Sequence, residues 1–350
     1  MTNEAFVLLL GLCFGGLALW AFKRLPEEHW QILASIPIEK DSHDRWHGLN
    51  LTYYGLLTAN ALIFSVATLI VLLGALRIPA TLTLIVILGV LLFCLPAAKW
   101  VARLVEGKQC TFTVAGALFV GLFVAPAVLQ ILNSLSASTG SQEIPVIPAL
   151  AAIMVAYAFG EGLGRLACIS FGCCYGKLLP EIHPILRKLF DNWHFVFSGK
   201  MKKISYASGM DGQQVVPVQA ITAVLNITVG LLSTLLFLRG KYAVALIVTT
   251  VVTQGWRSLS EALRADYRGD CKISAYQVMG IVAILYTIGL TYAGGGDPAM
   301  TPDLYAGLEA VWHPAVLLAL QGLWLVVFMF FGKSMVTGAK ISFHLYHDRI

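Results

Sequence analysis

Residues 146–169 read VIPALAAIMVAYAFGEGLGRLACI. Apart from Glu161 and Arg165 the stretch carries no charge, and it exceeds the ~20 residues that span a bilayer's hydrocarbon core. A charge at that depth costs at least ~2.5 kcal/mol, so intramembrane ionisable residues mark functional sites by default. Glu161 and Arg165 are four residues apart, which sets them on one helix face where acid and guanidinium partly neutralise each other. A second apolar segment, 242–263, reads YAVALIVTTVVTQGWRSLSEAL and repeats the device with Arg257 and Glu261. Arg264 follows three residues beyond Glu261 and extends that face toward the helix end. Two helices presenting arginines at one membrane surface suit an anionic group, and a phospholipid headgroup is the obvious one.

The rest of the chain places these segments in a polytopic protein. Of its 350 residues 58% are hydrophobic and only 12% charged, against about 25% charged in soluble proteins. Hydropathy predicts about nine spans, near residues 5–22, 51–76, 80–98, 113–132, 146–169, 218–238, 242–263, 274–294 and 311–331. The expected fold is an all-α polytopic membrane protein with a small α/β cap between spans five and six. Glu4 precedes the first span and no basic n-region does, so that span reads as a retained helix. Cys13 sits behind Leu12, where a lipobox needs a small residue, so the chain itself does not read as a lipoprotein.

Basic residues fall in alternate loops. Lys23, Arg24, Lys40 and Arg45 lie in one, Lys99, Arg103 and Lys108 in the next, and Lys177, Arg187, Lys188, Lys200, Lys202 and Lys203 in the longest. The opposite loops hold few: Arg77, then Arg239 and Lys241. The positive-inside rule makes the basic loops cytoplasmic, with the N-terminus outside and the C-terminus inside. No internal repeat is visible, which argues against a transporter built from inverted halves.

Two polar stretches interrupt the spans. Residues 26–48 mix Trp30, Ile32, Leu33, Ile36 and Trp46 with charges, as an amphipathic segment lying in the interface does. The irregular spacing of His29, His43 and His47 there reads as solvated loop histidines, not a metal site. Residues 170–217 start with a helix-like 180–189 and then alternate through 194–208, with turns at Gly199 and at 209–212. Cys110, Cys168, Cys173, Cys174 and Cys271 fall on or near the basic face. Adjacent cysteines are poor tetrahedral partners and no CxxC is present, so these thiols read as packing or pocket lining; no metal and no cofactor is expected.

Residues 160–177 read GEGLGRLACISFGCCYGK. Small residues permit close helix packing, while a glycine-rich helix end also lets backbone N–H groups and a bidentate guanidinium approach a phosphate. Gly164-Arg165 and the run Gly172-Cys173-Cys174-Tyr175-Gly176 resemble the signature segment of the prolipoprotein diacylglyceryl transferases. Further matches follow the same order: Tyr54-Gly55, then Pro217 and Gln219, then Arg257, Glu261 and Arg264, with Gln277 opening the next span. The resemblance covers roughly residues 51–294, with head loop 170–217, and leaves 1–50 and 295–350 as an added helix and flanking segment at each end.

That resemblance implies a bacterial plasma-membrane enzyme of lipoprotein biosynthesis, in which a cysteine thiol of a prolipoprotein attacks the glyceryl group of phosphatidylglycerol and glycerol phosphate leaves. It implies that Arg165 and Arg257 hold the phosphate and that Glu261 orients Arg257. It implies that Tyr54, Cys168, Cys173, Gly176, Gln219 and Arg264 line the substrate site. Membrane phospholipid and a thiol acceptor are the implied partners, and nucleic acid is not. The chain departs from the family where Cys168 and Cys173 replace an asparagine and a glutamate, and where Thr113 and Val216 replace two histidines. The family's active site faces outward, whereas the charge rule turns this one to the cytosol. Alternatives are a related phospholipid-dependent transferase with a cytoplasmic-face acceptor, a lipid-binding or transport scaffold whose charge pairs act as gates, and a thiol-redox protein built on the face cysteines.

Overall fold

The computed structural model describes residues 2–40, 42, 46–106, 113–139, 142–266, 273–294, 297–334, 340–341 and 348. His43, Arg45, Lys108, Cys110 and Cys271 lie outside the described residues. The chain is an all-α polytopic membrane protein. Among the described residues eight helices are long and apolar enough to cross a bilayer. They are α1 (Asn3–Arg24), α2 (Tyr53–Ala75), α3 (Ala80–Glu106), α4 (Val114–Thr139), α5 (Val146–Phe171), α8 (Val218–Leu238), α10 (Ala275–Ala293) and α12 (Pro314–Phe331). A further helix, α9 (Tyr242–Ser260), has 19 residues and packs against α5, α8 and α10. It is more polar because Thr249, Thr250, Thr253 and Gln254 are buried along it. The three threonines return their hydroxyls to carbonyls four residues back at 2.7–2.9 Å, which satisfies them inside an apolar bundle. A short helix, α11 (Leu304–Trp312), leads into α12.

The bundle is built around α5. Along an 18-residue stretch 78% of α5 is buried, against 11% for α1 and 17% for α3. Peripheral helices instead expose large apolar side chains, such as Leu8, Leu12 and Leu19 on α1 and Leu88 and Leu92 on α3. In water such a surface would aggregate; in lipid it is solvated. Small residues bring the inner helices together. A Cβ on Gly160 would lie 3.1 Å from Ser65 on α2, and one on Gly162 would lie 2.9 Å from Ile227 on α8. The Ser65 hydroxyl donates to the Ala156 carbonyl at 2.7 Å and locks the α2–α5 contact.

One end of the bundle gathers the charge-poor loops. There Arg77 meets Asp303 at 3.5 Å, Arg239 meets Glu4 at 2.9 Å, and the Ala243 N–H donates to Asp297 at 2.7 Å. The other end carries the basic stretches. Within residues 26–48, expected to be an amphipathic segment lying in the interface, β1 (Ile32–Lys40) pairs antiparallel with β2 (Trp46–Thr52). The C-terminal strands β5 (Lys333–Ser334) and β6 (Lys340–Ile341) pair with β2. Strand pairing satisfies backbone groups that a lone amphipathic segment leaves to water. Its Leu33, Ile36 and Ile38 remain exposed.

Residues 172–217 fold against the stretch ahead of β1, where Gln31 donates to the Met201 carbonyl at 2.7 Å and the Ser198 N–H to the Pro26 carbonyl at 3.1 Å. They form α6 (Pro184–Phe190), β3 (Phe195–Val196), α7 (Lys203–Ser208) and β4 (Gln214–Val215), with β3 and β4 antiparallel. The alternation through 194–208 therefore yields only a two-residue strand, and 203–208 turn into helix, closed by Gly209 in the left-handed region at φ 64°. Lys202 fastens the segment down. Fully buried, its ammonium donates to the Leu25 carbonyl at 3.0 Å and the Ser170 carbonyl at 2.7 Å. Burial pulls its pKa down to about 8, against a weaker upward pull from Glu28.

Candidate functional site

At the basic end of α5 an acidic side chain is shared between two arginines. Tyr157, Glu161 and Arg165 lie four residues apart on α5 and so share one face. Glu161 is 4% exposed and pairs with Arg165 along the helix; the same Oε1 accepts from Arg257 Nη2 on α9 at 2.9 Å. Arg257 Nη2 also donates to the Tyr157 hydroxyl at 3.0 Å. The carboxylate thus neutralises one guanidinium and leaves the triad with a surplus positive charge. Each guanidinium has five N–H donors, so most remain after the contact with Glu161. Both arginine side chains are 13% exposed, which leaves them within reach of a ligand.

The expectation that Glu261 orients Arg257 is corrected here. Helix α9 ends at Ser260, and residues Glu261–Leu263 tighten into a 3-10 turn. Arg257 turns to Glu161 and Tyr157 instead. Tyr157 was missed by sequence reasoning, although its spacing of four from Glu161 was the available signal.

Beyond Arg165 the chain reverses. Gly172, at φ 70°, caps α5 in the left-handed region, and the Cys173 N–H returns to the Cys168 carbonyl at 3.0 Å. This Schellman-type closure carries residues 173 and 174 back over the last turn. The sulfur atoms of Cys168, Cys173 and Cys174 then lie within 4.8 Å of one another. All three are free and partly buried. Hydrogen bonds from Cys168 and Cys173, reinforced by the nearby Arg264 and Arg165, hold the Cys174 thiol well below its ordinary range.

The other expected site residues surround this turn. Tyr54, in the first turn of α2, packs on Phe171 with ring centroids 5.5 Å apart and couples electrostatically to the three thiols and Arg165. Gln219 on α8 donates to the Cys173 carbonyl at 2.9 Å, and its buried Oε1 has no hydrogen-bond partner among the described residues. Arg264 is brought in by backbone pairing: Gly176 bridges Arg264, and the Ala265 N–H donates to the Tyr175 carbonyl at 3.1 Å. Its fork is closed on Asp266 at 2.7 and 2.8 Å. Gly176 has a packing reason to be glycine, since a Cβ there would lie 2.3 Å from the Val216 carbonyl. Gly164 differs: a Cβ there would meet nothing within 4 Å, so beside Arg165 there is room.

The site therefore combines surplus positive charge, an unfilled acceptor at Gln219 and a cluster of thiols, all at the end of a helix enclosed by lipid-facing neighbours. No protein-family profile matches the chain, and comparison with curated proteins finds no match.

Proposed function

We propose that the protein is a membrane-embedded transferase that uses phosphatidylglycerol as donor of a diacylglyceryl group, acting in a nine-span bundle of the bacterial plasma membrane capped by residues 172–217. The observation that carries this reading is the pair Arg165 and Arg257, from two helices, converging on the single carboxylate of Glu161. With two guanidiniums and one carboxylate the site is short of one negative charge, and a phosphodiester headgroup supplies one. Preorganised guanidiniums of this kind stabilise charge that develops on a departing phosphate.

In this reading the leaving glycerol phosphate rests on the free donors of Arg165 and Arg257, in the room beside Gly164. Gln219 Oε1, unpartnered and buried, accepts from a glycerol hydroxyl. Glu161 and Tyr157 are positioning residues that hold both guanidiniums in register. The resemblance of 51–294 to diacylglyceryl transferases supports a thiol acceptor. A thiol is the more reactive when ionised, and the positive field around Cys174 favours the thiolate of a group bound there.

Purified protein incubated with radiolabelled phosphatidylglycerol and a cysteine peptide should consume the lipid on thin-layer analysis. Arg165→Lys and Arg257→Lys keep the charge but lose the planar fork, and each should slow consumption by roughly 100-fold, the loss typical of one transition-state donor. Full activity in both lysine variants would refute the assignment.

A further inference from the structure

We propose that Cys168, Cys173 and Cys174 form a tri-thiolate site for a thiophilic metal cation of the zinc class. Their sulfurs lie within 4.8 Å of one another. Zinc–sulfur bonds of ~2.3 Å in tetrahedral geometry set sulfurs about 3.8 Å apart, so rotamer adjustments of under about an ångström would close the cluster on an ion. Three thiolates are soft donors of the kind that select Zn2+ or Cu+ over hard cations.

The backbone gives the second reason. Sequence neighbours ordinarily direct their side chains apart, which is why adjacent cysteines make poor co-ligands. Here Cys174 adopts φ 57°, a left-handed conformation that a residue bearing a Cβ rarely takes. That conformation places its sulfur with those of Cys173 and Cys168. Strain of this kind persists where the surroundings fix it. The turn is fixed on two sides: Gln219 holds the Cys173 carbonyl at 2.9 Å, and the Gly176–Arg264 bridge holds the chain just beyond Cys174. Cys168 and Cys174 are partly rather than fully buried, so an ion can reach the cluster from their side.

Binding requires all three sulfurs as thiolates, with any proton still held passing to solvent as its metal–sulfur bond forms, so uptake weakens as pH falls. The site does not depend on the phosphate reading, because its readout is metal content. Protein purified in detergent with any polyhistidine tag removed, loaded with Zn2+ alone and dialysed, should retain about one zinc per chain by elemental analysis, the stoichiometry of a single closed site. Cys168→Ser, Cys173→Ser and Cys174→Ser should each abolish retention, while Cys13→Ser, on α1 and outside the cluster, should not. Should the serine variants fold poorly, the wild-type protein still decides. Zn2+ should protect these three cysteines, and not Cys13, from alkylation mapped by mass spectrometry. Zinc retained by the triple serine variant, absence of protection, or a disulfide within the cluster in freshly purified protein would overturn the proposal.

Discussion

Glu161 is the residue on which the site depends. Removing one partner from a buried ion pair costs about 3–5 kcal/mol, because the remaining charge is left uncompensated in low dielectric. Glu161→Gln leaves Arg165 and Arg257 facing each other across a neutral amide. It should lower the unfolding temperature in detergent markedly, whereas Glu261→Gln, at a residue that does not pair with Arg257, should leave it nearly unchanged. Equal effects of the two substitutions would return the orienting role to Glu261. Much of this site was legible beforehand. Buried Arg165, Glu161 and Arg257 stand out from their apolar surroundings in any reading of the chain. Which acid serves Arg257 was not legible, because a helix-period argument finds partners within one helix and the true partner lies on another.

At the scale of elements, local periodicity recovered the long helices and failed where pairing is remote. Strands β2 and β5 are brought together from nearly opposite ends of the chain, and no local pattern announces such a contact. The thiol cluster was hidden for a related reason. Spacing alone set Cys173 and Cys174 apart, and only the glycine cap of α5 with the left-handed Cys174 reunites them with Cys168. The same cap seats Lys202, whose ammonium joins α1 to α5 through two carbonyls. Lys202→Met leaves both carbonyls without this donor and should destabilise the protein by about 1–3 kcal/mol. The pH dependence has a definite sign. The folded lysine has its pKa lowered to about 8 from 10.5, so between these values the unfolded chain binds more protons and stability from this group rises with pH. The gap in unfolding temperature between wild type and Lys202→Met should therefore widen from pH 8 to pH 10. A gap that stays constant would mean that the ammonium is not held in a penalised, buried state.

For the whole molecule, the two ends of the bundle differ in charge, and the site lies at the basic end with Lys177, Lys200, Lys202 and Lys203. By the positive-inside rule that end is expected in the cytoplasm. A cysteine introduced at Gln213, an exposed position ahead of β4, should then resist a membrane-impermeant maleimide in intact cells and react with a permeant one. Labelling by the impermeant reagent would place the site outside and make an exported prolipoprotein cysteine the favoured acceptor. The donor side of the reaction is independent of that outcome, and it is the central claim. Native mass spectrometry of protein released from mixed phosphatidylglycerol and phosphatidylcholine vesicles tests it without knowledge of the acceptor. Wild type should retain phosphatidylglycerol in preference to phosphatidylcholine, and an Arg165→Lys, Arg257→Lys double variant should lose that preference. Equal retention of the two lipids by wild type, or an unchanged preference in the double variant, would contradict a phosphate site built from these arginines.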